Sequence, residues 1–246
     1  MIRVVLDANV IISGIIAPLG ASAAILDAWQ AEYIEVVTCP GLIGEVAEKL
    51  ALPRIRDKYG LTDAEVRNIV VRLSQAACVV PGQVPVSPAP PDPDDTMVVS
   101  AAVEANARYV VTGDKGLLEF APQSPCPIVS PRQFWEEALP RSLAVTLTYP
   151  VFVFEDLPGR RYYLAVVEGH DCLALFTSAQ AVELYRQRNS LLAHDRPIAD
   201  AAELATYLEQ LPRSECQWVA FNPIGQYTII QPIQLTIECL RAAVKP

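Results

Sequence analysis

The sequence predicts an α/β fold with a parallel sheet flanked by helices, followed by a smaller α+β domain. Strand-like and helix-like segments alternate over the first 140 residues, and residues 2–6 are apolar except for Arg3, as in a strand buried on both faces. Strands that alternate with helices form a parallel sheet that is covered on both sides. The alternation stops near Pro140. We therefore predict two domains, residues 1–140 and residues 141–246.

The elements of the first domain follow from apolar periodicity and helix-capping patterns. The predicted strands are residues 2–6, 34–38, 109–112 and 126–129. The predicted helices are residues 22–31, 40–50, 62–77 and 95–106, with a further helix after Ser130. Residues 81–93 contain six prolines and predict an exposed loop.

The second domain has a different pattern, with strands that are not regularly followed by helices. The predicted strands are residues 144–154, 161–167, 172–176, 217–221 and 227–230, and the predicted helices are residues 178–188, 200–211 and 233–243. His170-Asp171 and His194-Asp195 are interpreted as turn residues. Because no set of catalytic side chains stands out in this domain, we expect it to bind a partner or to mediate dimerisation.

The bulk composition limits the function. The formal net charge is −9; residues 1–140 carry 10 basic and 17 acidic residues (−7), and residues 141–246 carry 9 and 11 (−2). This acidity disfavours a protein that coats nucleic acid non-specifically. The six cysteines form no CxxC pair, which predicts reduced thiols and no zinc site. With no apolar run of about 20 residues and no signal-peptide pattern, we expect a cytoplasmic protein without a membrane span.

Four acidic residues lie where hydrophobic segments end or helices begin: Asp7, Glu45, Asp95 and Asp114. The carboxyl ends of parallel strands meet at one edge of the sheet, where ligands bind. Unit charges about 4 Å apart repel by about 4 kcal/mol at an effective dielectric constant of about 20, so such a cluster needs protons or a cation. Oxygen-only ligands suit Mg²⁺ or Mn²⁺. The sequence thus predicts a divalent-metal site suited to phosphoryl transfer, as in a metal-dependent nuclease.

Polar residues near Asp7 and Asp114 are predicted to hold these two carboxylates in place. Asn9 is placed to hydrogen-bond Asp7, and Thr112 offers a hydroxyl group two residues before Asp114. Asp7 has an alternative role, because an aspartate in this position commonly caps the following turn.

Glu45 lies on the flank of an apolar helical stripe, where a carboxylate needs a partner or a ligand. The alternative to metal binding is a salt bridge to Arg54 or Arg56. Glu48 and Lys49 are predicted to face solvent.

The segment Asp92-Pro93-Asp94-Asp95-Thr96 carries three acids. Asp94 or Asp95 is expected to cap the following helix, which is compatible with metal binding, and Asp92 and Asp94 are expected to support the site. The same letters match the DxDxT phosphatase signature with Asp92 as the nucleophile. That signature requires a hydrophobic strand before it, whereas a proline-rich segment precedes Asp92.

In combination, these motifs resemble those of the PIN-domain ribonucleases, in particular the toxin components of toxin–antitoxin systems. The resemblance covers about residues 1–138 and rests on the order and spacing of Leu6–Val10, Cys39–Glu45, Asp92–Thr96 and Val111–Leu118. It implies a PIN-like sheet and a Mg or Mn site formed by Asp7, Glu45, Asp95 and Asp114, with Asn9 and Thr112 as supporting groups. Gly116 departs from the pattern, because family members often carry an acid there.

The resemblance also implies partners: single-stranded or looped RNA as the substrate, an antitoxin protein, and a second copy of the chain in a homodimer. Arg54, Arg56, Lys58 and Lys115 are the candidates for contact with the RNA backbone, the alternative being ordinary solvated side chains. The rival function is a catalytically silent PIN-fold module that binds RNA or protein. Through Leu175–Ser178 and Phe221–Pro223, the second domain loosely resembles a bacterial domain of serine-sensitivity-enhancing proteins.

Overall fold

A computed structural model describes residues 2–17, 19–155, 162–224 and 228–244. The chain divides into two compact units, Met1–Trp135 and Glu136–Pro246. The division predicted from the sequence, at Pro140, falls four residues after the first residue of the second unit.

The first unit is built on a five-stranded parallel sheet, as the sequence predicts. Its strands are β1 (Ile2–Leu6), β2 (Ile34–Thr38), β3 (Cys78–Val79), β4 (Tyr109–Val111) and β5 (Ile128–Val129), in the spatial order β3-β2-β1-β4-β5. The central strand β1 is fully buried at Val4, Val5 and Leu6. The order of the strands reverses between β1 and β4, and ligands bind at such a point in open α/β sheets.

The helices that cover this sheet are α1 (Ala8–Ile16), α2 (Ala21–Gln30), α3 (Pro40–Ala51), α4 (Pro53–Tyr59), α5 (Asp63–Ala76), α6 (Pro93–Glu104), α7 (Lys115–Phe120) and α8 (Pro131–Gln133). Helices α1, α4 and α7 and the two-residue strand β3 were not predicted from the sequence. The predicted capping box of Thr62 and Glu65 is present at the start of α5. The predicted start of α6 is wrong by two residues: Asp92 is the N-cap, and its side chain accepts a hydrogen bond from the Asp94 N–H at 3.0 Å.

The second unit is an α+β arrangement around a second sheet. Its strands are β6 (Val151–Glu155), β7 (Leu164–Val167), β8 (His170–Phe176), β9 (His194–Ile198), β10 (Trp218–Phe221) and β11 (Ile229–Pro232), in the order β11-β10-β8-β6-β9 with β7 paired to β8. Its helices are α9 (Leu139–Thr146), α10 (Ala179–Asn189), α11 (Ala201–Glu209) and α12 (Ile233–Val244).

Three predictions for the second unit are wrong. Residues 144–146, predicted to begin a strand, belong to helix α9, and His194-Asp195, predicted to form a turn, opens strand β9; His170-Asp171 likewise opens β8. Arg161 and Tyr227, which begin two of the predicted strands, lie outside the described residues.

All six cysteines are free thiols, and Cys39, Cys126, Cys172 and Cys216 are buried. Within the described ranges, no helix taken alone has the length and apolarity to cross a membrane; α1 and α2 reach them only as a pair bent by 95°.

Candidate functional site

Asp7 follows β1 directly and is held by two side chains. Its backbone N–H continues the ladder to the Val111 carbonyl at 3.0 Å, and its side chain is 6% exposed. Although Asp7 occupies the N-cap position of α1, its carboxylate makes no capping hydrogen bond. Instead, Oδ2 accepts hydrogen bonds from Asn9 Nδ2 at 2.6 Å and from Thr112 Oγ1 at 2.5 Å. The predicted support by Asn9 is therefore present, and the capping alternative is wrong for the side chain.

Thr112 connects Asp7 to Asp114. The Thr112 side chain is fully buried, and its hydroxyl oxygen accepts a hydrogen bond from the Asp114 N–H at 2.9 Å. Asp114 caps α7 through Oδ1, which accepts a hydrogen bond from the Leu117 N–H at 3.0 Å. The Gly113 N–H donates to Asn9 Oδ1 at 3.0 Å. These hydrogen bonds fix the two acids against the carboxyl ends of the adjacent strands β1 and β4.

Glu45 lies on α3 beside the buried residues Leu42 and Val46, and its side chain is 26% exposed. Its Oε1 forms an ion pair with Lys49 Nζ one turn further along the helix. The predicted alternative, a salt bridge to Arg54 or Arg56, is wrong.

Lys49 is exposed, as predicted, but its ion pair with Glu45 was not predicted from the sequence. The charges of Glu45, Asp7 and Asp94 all contribute to raising the pKa of Lys49, with the Glu45 hydrogen bond as the largest cause. The signal in the sequence was the Glu45–Lys49 spacing, since residues four apart are neighbours on a helix surface.

Asp95 lies in the first turn of α6 and is partly buried. The pKa of Asp95 is raised to about 6, mainly by burial and in addition by the negative charges of Asp114, Asp92, Asp7 and Glu45. Burial also raises the pKa of Asp7, with a contribution from Glu45, whereas the hydrogen bonds from Thr112 and Asn9 act in the opposite direction. The four acids therefore share one electrostatic environment.

The donor set fits a hard divalent cation in chemistry and charge. Among residues 2–17, 19–155, 162–224 and 228–244, no three His, Cys, Asp or Glu side chains are grouped so that they could hold a metal ion as they stand. Carboxylates repel one another when no cation lies between them. The hydrogen bonds reach Oδ2 of Asp7 and Oδ1 of Asp114, which leaves the other oxygen of each for a cation. Oxygen donors are the ligands of Mg²⁺ and Mn²⁺.

The remaining candidates lie around these acids. Asp92 and Asp94 are exposed at the start of α6, and their charges act on Asp95 and Lys49, respectively. Gly116 is exposed on α7, where a Cβ atom would lie 3.1 Å from Asp114 Oδ1.

The basic candidates differ in their surroundings. Arg54, Lys58 and Lys115 are exposed. Lys58 Nζ lies 5.0 Å from the centre of the Tyr59 ring. Arg56 forms an ion pair with Asp63 at 2.8 Å and so already has an acidic partner.

Comparisons with known proteins agree with this architecture. Residues 3–116 match the family model described as PIN domain. An uncharacterized protein of Methanocaldococcus jannaschii is 28% identical over 144 residues, which span 55% of this chain and 91% of that protein.

Two solved structures are also similar in part. VapBC2 from Rickettsia felis, bound to a DNA fragment from its promoter, gives a TM-score of 0.37 at 9% identity, over 52% of this chain and 98% of that one. FitAcB from Neisseria gonorrhoeae gives a TM-score of 0.36 at 19% identity, over 52% of this chain and 98% of that one. The parallel sheet and the match over residues 3–116 agree: this N-terminal unit is similar to PIN domains.

Proposed function

We propose that the N-terminal unit is a metal-dependent endoribonuclease that hydrolyses RNA phosphodiester bonds. The observation that carries the proposal is the environment of Asp95, whose pKa is raised to about 6 by burial and by the charges of four other acids. A cluster of this kind is stabilised by a divalent cation. The match of residues 3–116 to the PIN domain family model supports the same proposal, because PIN domains are typically nucleases.

Asp7, Glu45, Asp95 and Asp114 would hold one or two Mg²⁺ or Mn²⁺ ions. When bound, the metal supplies a water of lowered pKa and an electrostatic partner for the scissile phosphate. Thr112 and Asn9 hold Asp7 Oδ2, so this carboxylate keeps one orientation. The α7 N-terminus does the same for Asp114. A metal ligand that is fixed in advance binds with a smaller loss of conformational entropy.

RNA contact is proposed for the exposed basic residues Arg54 and Lys58 on α4 and Lys115 on α7, with Arg56 as a further member that would have to leave Asp63. The net charge of −9 makes such a local basic surface necessary, because a polyanion is otherwise repelled. Lys115 follows Asp114 directly and would contact the phosphate nearest to the metal.

The test is cleavage of single-stranded RNA by the purified full chain with Mn²⁺, Mg²⁺ or EDTA. We expect cleavage with either metal and none in EDTA. Asp7→Asn keeps the size of the side chain and removes its charge, and we expect a loss of about 100-fold or more in rate. Asp171→Asn, an exposed acid of the second unit, is the matched control and should cleave like the wild type.

Metal-dependent cleavage that is unchanged in Asp7→Asn would remove Asp7 from the site. RNA binding without cleavage in every metal tested would favour the rival, a catalytically silent PIN-fold module.

The toxin role, with an antitoxin as partner and a homodimer as the assembly, is a further part of the proposal and rests on the sequence motifs. Expression of the chain should then arrest growth, and Asp7→Asn should relieve the arrest. Co-expression with a cognate antitoxin would protect the cells in the same way.

A further inference from the structure

Lys49 is a basic residue in direct contact with one of the acids of the proposed site. Its ammonium group contacts Glu45 Oε1 directly, and the side chains of Lys49 and Glu45 are 46% and 26% exposed. Both residues lie on the same flank of α3, beside the buried residues Val46 and Leu50. The ammonium group is therefore held at the border between the acid cluster and solvent.

The surroundings of Lys49 extend beyond Glu45. The charges of Asp7, directly after β1, and of Asp94, on α6, also act on the Lys49 ammonium group. The same Lys49 charge acts on Asp7. One positive charge thus interacts with acids of three segments of the chain, and each of these segments also carries an acid assigned to the metal.

A divalent cation that binds Glu45 competes with the Lys49 ammonium group for the negative charge of this carboxylate. A cation that binds Glu45 would lie within a few ångströms of Lys49 Nζ, and like charges at that separation repel. The long aliphatic stem of a half-exposed lysine allows the ammonium group to move into water without a change in the helix.

On this basis we propose that Lys49 is the resident counter-cation of the acid cluster, and that a divalent metal must displace it from Glu45 in order to bind. The inference rests on the proposed function. In this role Lys49 is a positioning residue: it holds Glu45 while the site has no metal, and it sets the metal concentration at which the site fills.

The test measures Mn²⁺ binding to the full-length protein by electron paramagnetic resonance, which reads free Mn²⁺ and does not depend on RNA cleavage. Lys49→Met keeps the aliphatic stem and removes the charge. Because a partly exposed ion pair is weak, we expect Mn²⁺ to bind about two- to fivefold more tightly to K49M than to the wild type.

Two further variants separate this role from a general charge effect. Lys49→Arg keeps the charge beside Glu45 and should bind Mn²⁺ like the wild type. Arg72→Met removes one positive charge from the exposed surface of α5, and it should also leave the Mn²⁺ affinity unchanged. Circular dichroism of each variant checks that it is folded.

Mn²⁺ binding to K49M that equals or falls below that of the wild type would overturn the inference, because Lys49 would then not compete with the metal. If the wild type and all variants bind no Mn²⁺, the proposed metal-dependent function fails and this inference fails with it. Tighter binding by K49M and R72M alike would reduce the effect to net charge and overturn the role of Lys49.

Discussion

Asp95 combines partial burial with the repulsion of several acids, and both raise the pKa of its carboxyl group to about 6. An acid whose pKa is higher in the folded than in the unfolded protein binds more protons in the folded state between the two values. The folded state therefore loses stability as the pH rises through that interval. The same cluster that would bind a metal is thus a source of instability when no metal is present.

We expect the effect to appear as a difference between the wild type and Asp95→Asn in EDTA. Below the ordinary value of 3.8, Asp95 is protonated in both states and contributes nothing, whereas above about 6 the full penalty is present. Because Asp95 is only partly buried, solvent screening should limit the penalty to about 1 kcal/mol. Urea unfolding at pH 4, 5, 6 and 7 measures the free energy of unfolding of each protein.

D95N should be more stable than the wild type at pH 7 but not at pH 4. Glu119→Gln, which removes an exposed acid of α7, is the control for net charge and should lack this trend. A difference between wild type and D95N that does not change with pH would contradict the assignment of the raised pKa to Asp95.

The positions of Asp7 and Asp114 in the fold could be predicted from the sequence, because a polar residue that follows a buried parallel strand lies at the edge of the sheet. Asp7 and Asp114 lie beside the ends of adjacent strands, as expected from a parallel sheet. The predicted partner of Glu45 was wrong. Whether Glu45 can reach Arg54 depends on where its helix ends, which the sequence did not show. The chain closes α3 at Ala51 and starts α4 at Pro53, and this break leaves Lys49 as the partner one turn away from Glu45.

Helices α3 and α6 carry Glu45 and Asp95, and a glycine sets how closely they approach. A Cβ atom at Gly41 would lie 2.4 Å from Met97 Sδ, so the side chain of Met97 would have to move. At Gly44, three residues along the same helix, a Cβ atom would meet nothing within 4 Å. The two glycines form a matched pair on one helix.

We expect Gly44→Ala to stabilise the protein by about 0.5–1 kcal/mol, because alanine favours a helix over glycine by about that amount. Gly41→Ala should lose this gain to the contact with Met97 and should be less stable than G44A by about 1–2 kcal/mol. It should also bind Mn²⁺ more weakly, because α3 and α6 are pushed apart. Urea unfolding and Mn²⁺ titration measure both effects.

Met97→Ala tests the cause, since it removes the atom that a new methyl group would meet. In that background G41A should stabilise the protein as G44A does. Equal stability of G41A and G44A in the wild-type background would show that the approach of the two helices does not depend on Gly41.

Helix α1 shows why some elements could not be predicted. Its sequence is rich in β-branched residues and contains Gly14, and both disfavour a helix. Packing supplies the reason: a Cβ atom at Gly14 would lie 2.7 Å from the Ser22 carbonyl oxygen and 2.6 Å from Leu26 Cδ1. Glycine thus allows α1 to lie close to α2, and this contact is visible only in the folded unit.

Strand β9 was not predicted because it contains Pro197, and proline disfavours a strand. Proline is tolerated in an edge strand, and β9 is the last strand in the order of the second sheet.

At the scale of the whole molecule, the proposed metal ligands and the apolar core around Phe154 belong to different units. All of the acids proposed for the metal lie in the first unit, whereas the second has its own apolar core around Phe154. The Phe154 ring is fully buried and lies 5.1 Å from the ring of Phe176 and 5.9 Å from that of Tyr185, measured between ring centres. In the first unit, the fully buried Phe134 lies 5.8 Å from Tyr109.

These two phenylalanines allow the role of each unit to be tested separately. Phe154→Ala and Phe134→Ala each remove a buried ring, which typically costs about 3–5 kcal/mol. We expect F154A to lower the stability of the second unit while Mn²⁺ still binds the first, because the proposed ligands belong to another core. F134A should weaken Mn²⁺ binding at a temperature where the wild type binds fully. Differential scanning calorimetry measures the stability of each variant, and Mn²⁺ titration below the first unfolding transition measures metal binding. Loss of Mn²⁺ binding in F154A would mean that the site in the first unit depends on the core of the second.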